Sequence, residues 1–142
     1  MKPNIVIFLL FLAGSCSAQN IPKAYYEYTK RADSLYNIKE YVKAISLYSK
    51  AFDTAGGQGK VKDRYSAACC WALSNNADSA FYQLYRIAVK GKYTNYDQIL
   101  KEPNFMSLHT DKRWESLIEI MKKTRKEIED AIQLDLQKIE SP

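Results

Sequence analysis

Few residues in this sequence are of the types that catalysis or metal binding requires. The chain of 142 residues contains one histidine, His109, which falls in a predicted linker. A serine–histidine–aspartate triad needs a histidine base held beside its serine, and zinc sites use several cysteines or histidines at fixed spacings. Neither arrangement can be assembled here. We therefore predict that His109 is a surface residue, that the chain is not an enzyme, and that it holds no metal or cofactor.

The cysteines at the centre of the chain, Cys69 and Cys70, are adjacent. A disulfide between adjacent residues requires a distorted peptide, and neighbouring side chains on a helix point about 100° apart. Free cysteines in apolar surroundings behave as small hydrophobic residues. The sequence therefore predicts two buried, unpaired thiols.

The segment 56–60 is rich in glycine, as phosphate-binding loops are. However, Thr54 stands where the first glycine of such a loop belongs, Val61 stands where its serine or threonine belongs, and no predicted strand precedes the segment. We therefore predict a flexible turn. Carboxylate pairs such as Glu127 and Asp130 lie in a highly charged stretch, which indicates a solvated helix face and not a general acid and base.

Composition and charge place the chain among globular proteins of one domain. The sequence is 46% hydrophobic and 26% charged, which is typical of a folded domain, and its length indicates one domain. Lysine and arginine number 21 against 16 acidic residues, for a net charge of +5. Because the two signs are interspersed, we predict a mixed-charge surface and no nucleic-acid partner.

The first 18 residues have the three-part layout of a secretory signal. Lys2 precedes an uncharged apolar run at residues 5–13, which is too short to span a bilayer, and small residues come after it. We predict cleavage after Ala18, which leaves residues 19–142 as one exported domain in the periplasm or outside the cell. The alternative is a lipoprotein signal with Cys16 as the lipid-bearing residue and a membrane-anchored product. That pattern prefers leucine at the position of Ala13, so simple cleavage is favoured.

The rest of the chain has the apolar spacing of helices. Apolar residues recur at intervals of three and four, and long runs with period two are absent. This spacing predicts helices over about residues 22–37, 41–52, 60–74 and 77–90. The glycines of segment 56–59 and the pair Asn75–Asn76 are predicted turns between them.

The two predicted helical hairpins align with each other over a period of 36 residues. Ala44 aligns with Ala80, and Tyr48 aligns with Leu84. In the first helices, Ala32 aligns with Ala68, and Leu35 aligns with Trp71. Small residues at matching positions indicate where two helices cross closely.

These alignments make residues 25–88 resemble two tetratricopeptide repeats (TPR). The residues that carry the resemblance are Ala32, Tyr41, Ala44, Tyr48 and Ala51 in the first unit and Ala68, Ala80 and Leu84 in the second. The closing proline of the family is missing from both units, and its first-helix glycine is replaced by alanine. The resemblance implies an all-α fold, a short α-solenoid with repeats at about residues 22–55 and 60–91.

The remaining residues, 92–142, resemble the degenerate C-terminal capping unit of small exported bacterial TPR proteins. The segment 111–117 resembles an Asp-Pro-Arg-aromatic element, with Lys112 in place of the proline. A cap covers the open apolar face of the last hairpin. We predict short helical turns and then a long C-terminal helix, with Thr110 or Asp111 as its N-cap. Beyond Lys122 we predict a solvated extension, with a coiled-coil arm as the alternative.

The resemblance also implies a concave groove lined by the first helix of each hairpin. The residues that align with groove positions are Tyr26, Thr29, Asp33, Tyr36, Asn37, Lys62, Tyr65 and Cys69. Tyrosine suits a binding surface because it offers a large contact area and a hydrogen-bonding tip. The predicted function is therefore non-catalytic protein–protein interaction, with a protein or peptide partner held in the groove. The alternative is a small-ligand or glycan binder that uses the groove tyrosines.

Overall fold

The computed structural model describes residues 20–140, so the predicted signal segment and Cys16 lie outside the described residues. Six α-helices succeed one another, interrupted by a π-helical turn at Arg86–Lys90 and a 3-10 helix at Pro103–Leu108. The α-helices are α1 (Lys23–Asn37), α2 (Tyr41–Thr54), α3 (Val61–Leu73), α4 (Ala77–Tyr85), α5 (Tyr96–Lys101) and α6 (Arg113–Glu140). Within residues 20–140, none of these helices combines the length and the hydrophobicity that a membrane span requires.

Helices α1 to α4 form two antiparallel hairpins, which confirms the all-α, repeat-like fold class. Helix α2 packs on α1 and on α3, and α3 packs on α4. The alanines predicted at the crossings, Ala32, Ala44, Ala68 and Ala80, are all fully buried. Because a methyl side chain lets two helix backbones approach closely, these positions set the spacing within each hairpin.

The predicted turns between the helices are present, and each has a local cause. Gly56 and Gly57 end α2 with φ angles of 62° and 78°, in the left-handed region that glycine enters without steric cost. Asn75 turns the chain after α3 with φ 58°. The side chain of Asn76 then accepts a hydrogen bond from the Ser79 amide and caps α4.

The last helix of the second hairpin does not end as the sequence predicts. The expected α-helix over residues 77–90 stops at Tyr85 and continues as the π-helical turn. This wider turn brings Gly91 against the start of α3, where an added Cβ would lie 2.7 Å from the Val61 side chain. The chain therefore departs from α-helical geometry at the point where the end of the second hairpin lies against the start of α3.

The capping unit consists of α5, the 3-10 helix and α6. Asp111, and not Thr110, caps α6, because its side chain accepts a hydrogen bond of 2.9 Å from the Arg113 amide. The predicted apolar stripe of α6 is buried and comprises Trp114, Leu117, Ile118 and Met121. Residues 125–140 are all exposed, so α6 continues beyond the packed part of the protein. His109 is exposed, as predicted, and its ring lies 4.3 Å from that of Trp114.

Helix α3 lies between two hydrophobic clusters, and the adjacent cysteines point into different ones. Cys70 joins the cluster of the first hairpin, whereas Cys69 joins the cluster of the second hairpin and the cap. Both thiols are buried and free, which confirms the prediction. The two hairpins are also linked by polar groups, because the buried Tyr25 hydroxyl donates to Asp63 at 2.6 Å and accepts from the Lys60 amide at 2.8 Å.

Candidate partner-binding face

The eight predicted groove residues lie on α1 and α3, but they differ widely in exposure. We call the surface that these two helices form the α1–α3 face. Tyr26, Asn37 and Lys62 are exposed, and Asp33, Tyr36 and Tyr65 are half-buried. Thr29 and Cys69 are buried, at 6% and 1% exposed, so they offer no surface to a partner.

The open part of the α1–α3 face combines one aromatic ring with a charged pair. Tyr26 is 45% exposed, and the Nζ atom of Lys60 lies 4.5 Å above the centre of its ring. Two turns further along α1, Asp33 accepts hydrogen bonds from Tyr48 at 2.5 Å and from Lys62 at 2.9 Å. The bond with Asp33 raises the pKa of Lys62, which holds this lysine positively charged at its place on the face.

The other part of the face is covered by the protein's own cap. The Tyr36 hydroxyl accepts a hydrogen bond of 2.9 Å from the Asn104 amide group, and the Tyr65 hydroxyl donates one of 2.8 Å to Glu102. The Tyr65 ring also packs edge-on against Phe105, with ring centres 5.5 Å apart. Tyr36 and Tyr65 are predicted groove residues, but their hydroxyls form hydrogen bonds with residues of the cap. They therefore hold the cap in place.

Cys69 lies beneath this covered part. Burial, reinforced by the charge of Glu102, raises the pKa of its thiol to about 12. Since the thiolate is the reactive form of cysteine, the raised pKa keeps Cys69 in its less reactive thiol form at neutral pH. Its predicted place in the groove is therefore corrected: it is a core residue that packs behind Tyr36 and the cap.

A shallow open cavity of about 280 Å³ adjoins the charged pair on the α3 side. Lys62 and Tyr65 line it from α3, and Tyr93 and Gln98 line it from the cap. The Tyr93 hydroxyl donates to Gln98 at 2.7 Å, so the two cap residues support one another. Because the cavity is open, it suits a segment laid across the surface better than a small enclosed ligand.

Sequence reasoning missed the contributions of the cap to this face. The cap residues concerned come after the two hairpins in the chain; they are Tyr93, Gln98, Glu102 and Asn104. In the sequence, only the apolar residues around them indicated that this segment packs against the hairpins. Their contacts with α1 and α3 join residues up to 68 positions apart. In residues 20–140 no group of three or more potential ligand residues could hold a metal ion.

The fold and this face define an all-α protein of helical-repeat-like architecture, with an open aromatic and charged strip beside its own cap. Comparison of the chain with models of known protein families, with curated proteins and with solved structures gives no match.

Proposed function

We propose that this chain is a non-catalytic protein-interaction module of the TPR type. In this proposal, an extended segment of a partner protein lies along the open part of the α1–α3 face. The observation that carries it is the exposed Tyr26 ring in line with the Asp33–Lys62 pair, next to the open cavity at Tyr93. Tyrosine is among the residue types that are enriched in interaction hot spots.

The test uses peptides selected on the purified chain from a random library displayed on phage. Replacing Tyr26 and Lys62 together by alanine is expected to weaken peptide binding by about 1–4 kcal/mol, because truncating an anchor residue typically costs that much. Isothermal titration of the best peptide with both proteins measures the difference.

A matched control replaces the same residue types outside the face. Tyr82 and Lys123 are exposed residues of α4 and α6, so the double change Tyr82→Ala, Lys123→Ala should leave peptide binding unchanged. The proposal fails if the control weakens binding as much as the α1–α3 variant does. A clear glycan-array signal without any selected peptide would support the small-ligand or glycan alternative.

We also propose that the module acts after export, in the periplasm or outside the cell. Support comes from the apolar run at residues 5–13 and the small residues that come after it. The expected product begins at Gln19, and intact-mass analysis of the native protein checks this. A lipid-modified Cys16 would instead indicate a membrane-anchored lipoprotein, and an intact Met1 would contradict both forms.

A further inference from the structure

A second cavity, of about 350 Å³, is lined by positive charge. It is bounded by the linker after α2, the first turns of α3 and the π-helical turn. Four cationic side chains line it, namely Lys60, Arg64, Arg86 and Lys90. None of its lining residues among those the structure describes is acidic.

The two arginines of this cavity share one acceptor. Arg64 donates to the Gly57 carbonyl oxygen at 2.6 Å, and Arg86 donates to the same oxygen at 2.8 Å. Within residues 20–140 neither guanidinium forms an ion pair, although Arg64 is only 4% exposed and also binds the neutral Gln83. The Nε atom of Arg86 is buried without a hydrogen-bond partner among the described residues.

This arrangement of cations costs free energy unless a counter-charge balances it. Burial lowers the pKa of Arg64, and the neighbouring charge of Arg86 lowers it further, because both effects disfavour the charged form of a guanidinium. Lys60 and Arg64 are four residues apart at the start of α3, and Arg86 and Lys90 are four residues apart around the π-helical turn. Like charges at this spacing repel, and cations at a helix N-terminus oppose its dipole.

Two glycines beside the cavity lie so close to neighbouring atoms that a side chain would not fit at either position. An added Cβ at Gly59 would lie 2.7 Å from the Phe52 ring, and one at Gly91 would lie 2.7 Å from the Ile87 carbonyl oxygen. Glycine at position 59 lets the linker lie against Phe52 of α2, and glycine at position 91 lets the end of the π-helical turn lie against Val61 at the start of α3. The four cations are thereby collected from two separate parts of the chain around one opening.

We propose that this cavity binds a multiply charged oxyanion, a phosphate group, between the two arginines and the two lysines. Arginine suits this role because its guanidinium presents several donors to phosphate oxygens, and the N-terminus of α3 adds a favourable dipole. Lys60 and Lys90 are the exposed cations of the cavity lining. The phosphate belongs either to a free ion or to a lipid headgroup.

The first experiment is calorimetric titration of the full chain with inorganic phosphate at low ionic strength. The wild type is expected to bind saturably. The variant Lys60→Gln, Lys90→Gln should bind at least roughly tenfold more weakly, because it loses two charge-assisted contacts. Both lysines are exposed, so the variant should fold, and circular dichroism checks that it does.

The matched control removes two exposed lysines from α6, Lys123→Gln with Lys126→Gln. It changes the net charge by the same amount and should bind phosphate like the wild type. Equal weakening in both variants would mean that only net charge attracts phosphate, and it would overturn the proposal. Absence of saturable binding, with phosphate and with vesicles alike, would overturn it as well.

A second experiment, with lipid vesicles, distinguishes a lipid headgroup from a free phosphate ion. Sedimentation with phosphatidylglycerol vesicles, compared with phosphatidylcholine vesicles, tests for a lipid headgroup. Retention on the anionic vesicles that the cavity variant loses and the control keeps would support a headgroup ligand. Saturable binding of inorganic phosphate without vesicle retention would support a free ion.

Discussion

Replacement of Phe105 by alanine is expected to lower the free energy of unfolding by about 3–5 kcal/mol, the usual cost of truncating a buried aromatic side chain. Phe105 is fully buried in the 3-10 helix of the cap. Its ring centre lies 5.5 Å from that of Tyr65 on α3 and 6.3 Å from that of Trp114 on α6. The variant therefore removes the contact through which the cap joins both helices, and urea denaturation measures the loss.

The neighbouring residue provides the control for this prediction. Met106 is 68% exposed, so Met106→Ala should change the free energy of unfolding by no more than about 0.5 kcal/mol. In the Phe105 variant, the Cys69 thiol should also react faster with a thiol reagent, because the cap covers it. Equal urea midpoints for the two variants would show that the cap is not held through Phe105.

The parts of the fold that sequence predicted correctly depend on local periodicity. Ala44 and Ala80 mark the crossing position of each hairpin, and the spacing of apolar residues around them fixes which face of α2 and α4 is buried. The buried stripe of α6 could be predicted for the same reason. None of these inferences required knowledge of contacts between distant segments.

The covered part of the α1–α3 face could not be predicted in that way. An alignment to repeat positions places Tyr36 and Tyr65 in a groove, because it considers each hairpin separately from the C-terminal cap. Their hydrogen bonds to Asn104 and Glu102 depend on how the cap folds back over α3. No periodicity in the sequence reports a contact between segments so far apart.

The cationic cavity shows a similar limit. Along the chain the charges are interspersed, which predicted a mixed-charge surface. The close approach of the linker to the π-helical turn brings Arg64 and Arg86 to one carbonyl oxygen. The only signal in the sequence was the four-residue spacing within the pair Lys60 and Arg64 and within the pair Arg86 and Lys90.

The second large effect is expected at high pH, where the buried thiols of α3 should destabilise the fold. Burial raises the pKa of both Cys69 and Cys70 from 9.0 to about 12. In the unfolded chain these thiols ionise near pH 9, whereas in the folded protein they keep their protons. Because the folded state then binds more protons, the free energy of unfolding must fall as the pH rises from about 9 to about 12.

The size of the effect depends on the number of groups that ionise on unfolding. Each thiol that is ionised only in the unfolded chain lowers the free energy of unfolding by about 1.4 kcal/mol per pH unit. Burial also raises the pKa of several phenols above the ordinary value of 10.0, so they add to the loss at higher pH; these are Tyr25, Tyr36, Tyr48 and Tyr65. Between about pH 9 and about pH 10, the fall in the free energy of unfolding therefore comes mainly from the two thiols.

Urea denaturation in the presence of a reductant, at several pH values from about 8 to about 10, measures this dependence. The double variant Cys69→Ala, Cys70→Ala loses some stability at every pH because two small cavities form, but its free energy of unfolding should fall less steeply above pH 9. The comparison rests on the slope, which the loss of packing does not change. An equally steep slope in the variant would mean that the thiols ionise in the folded protein.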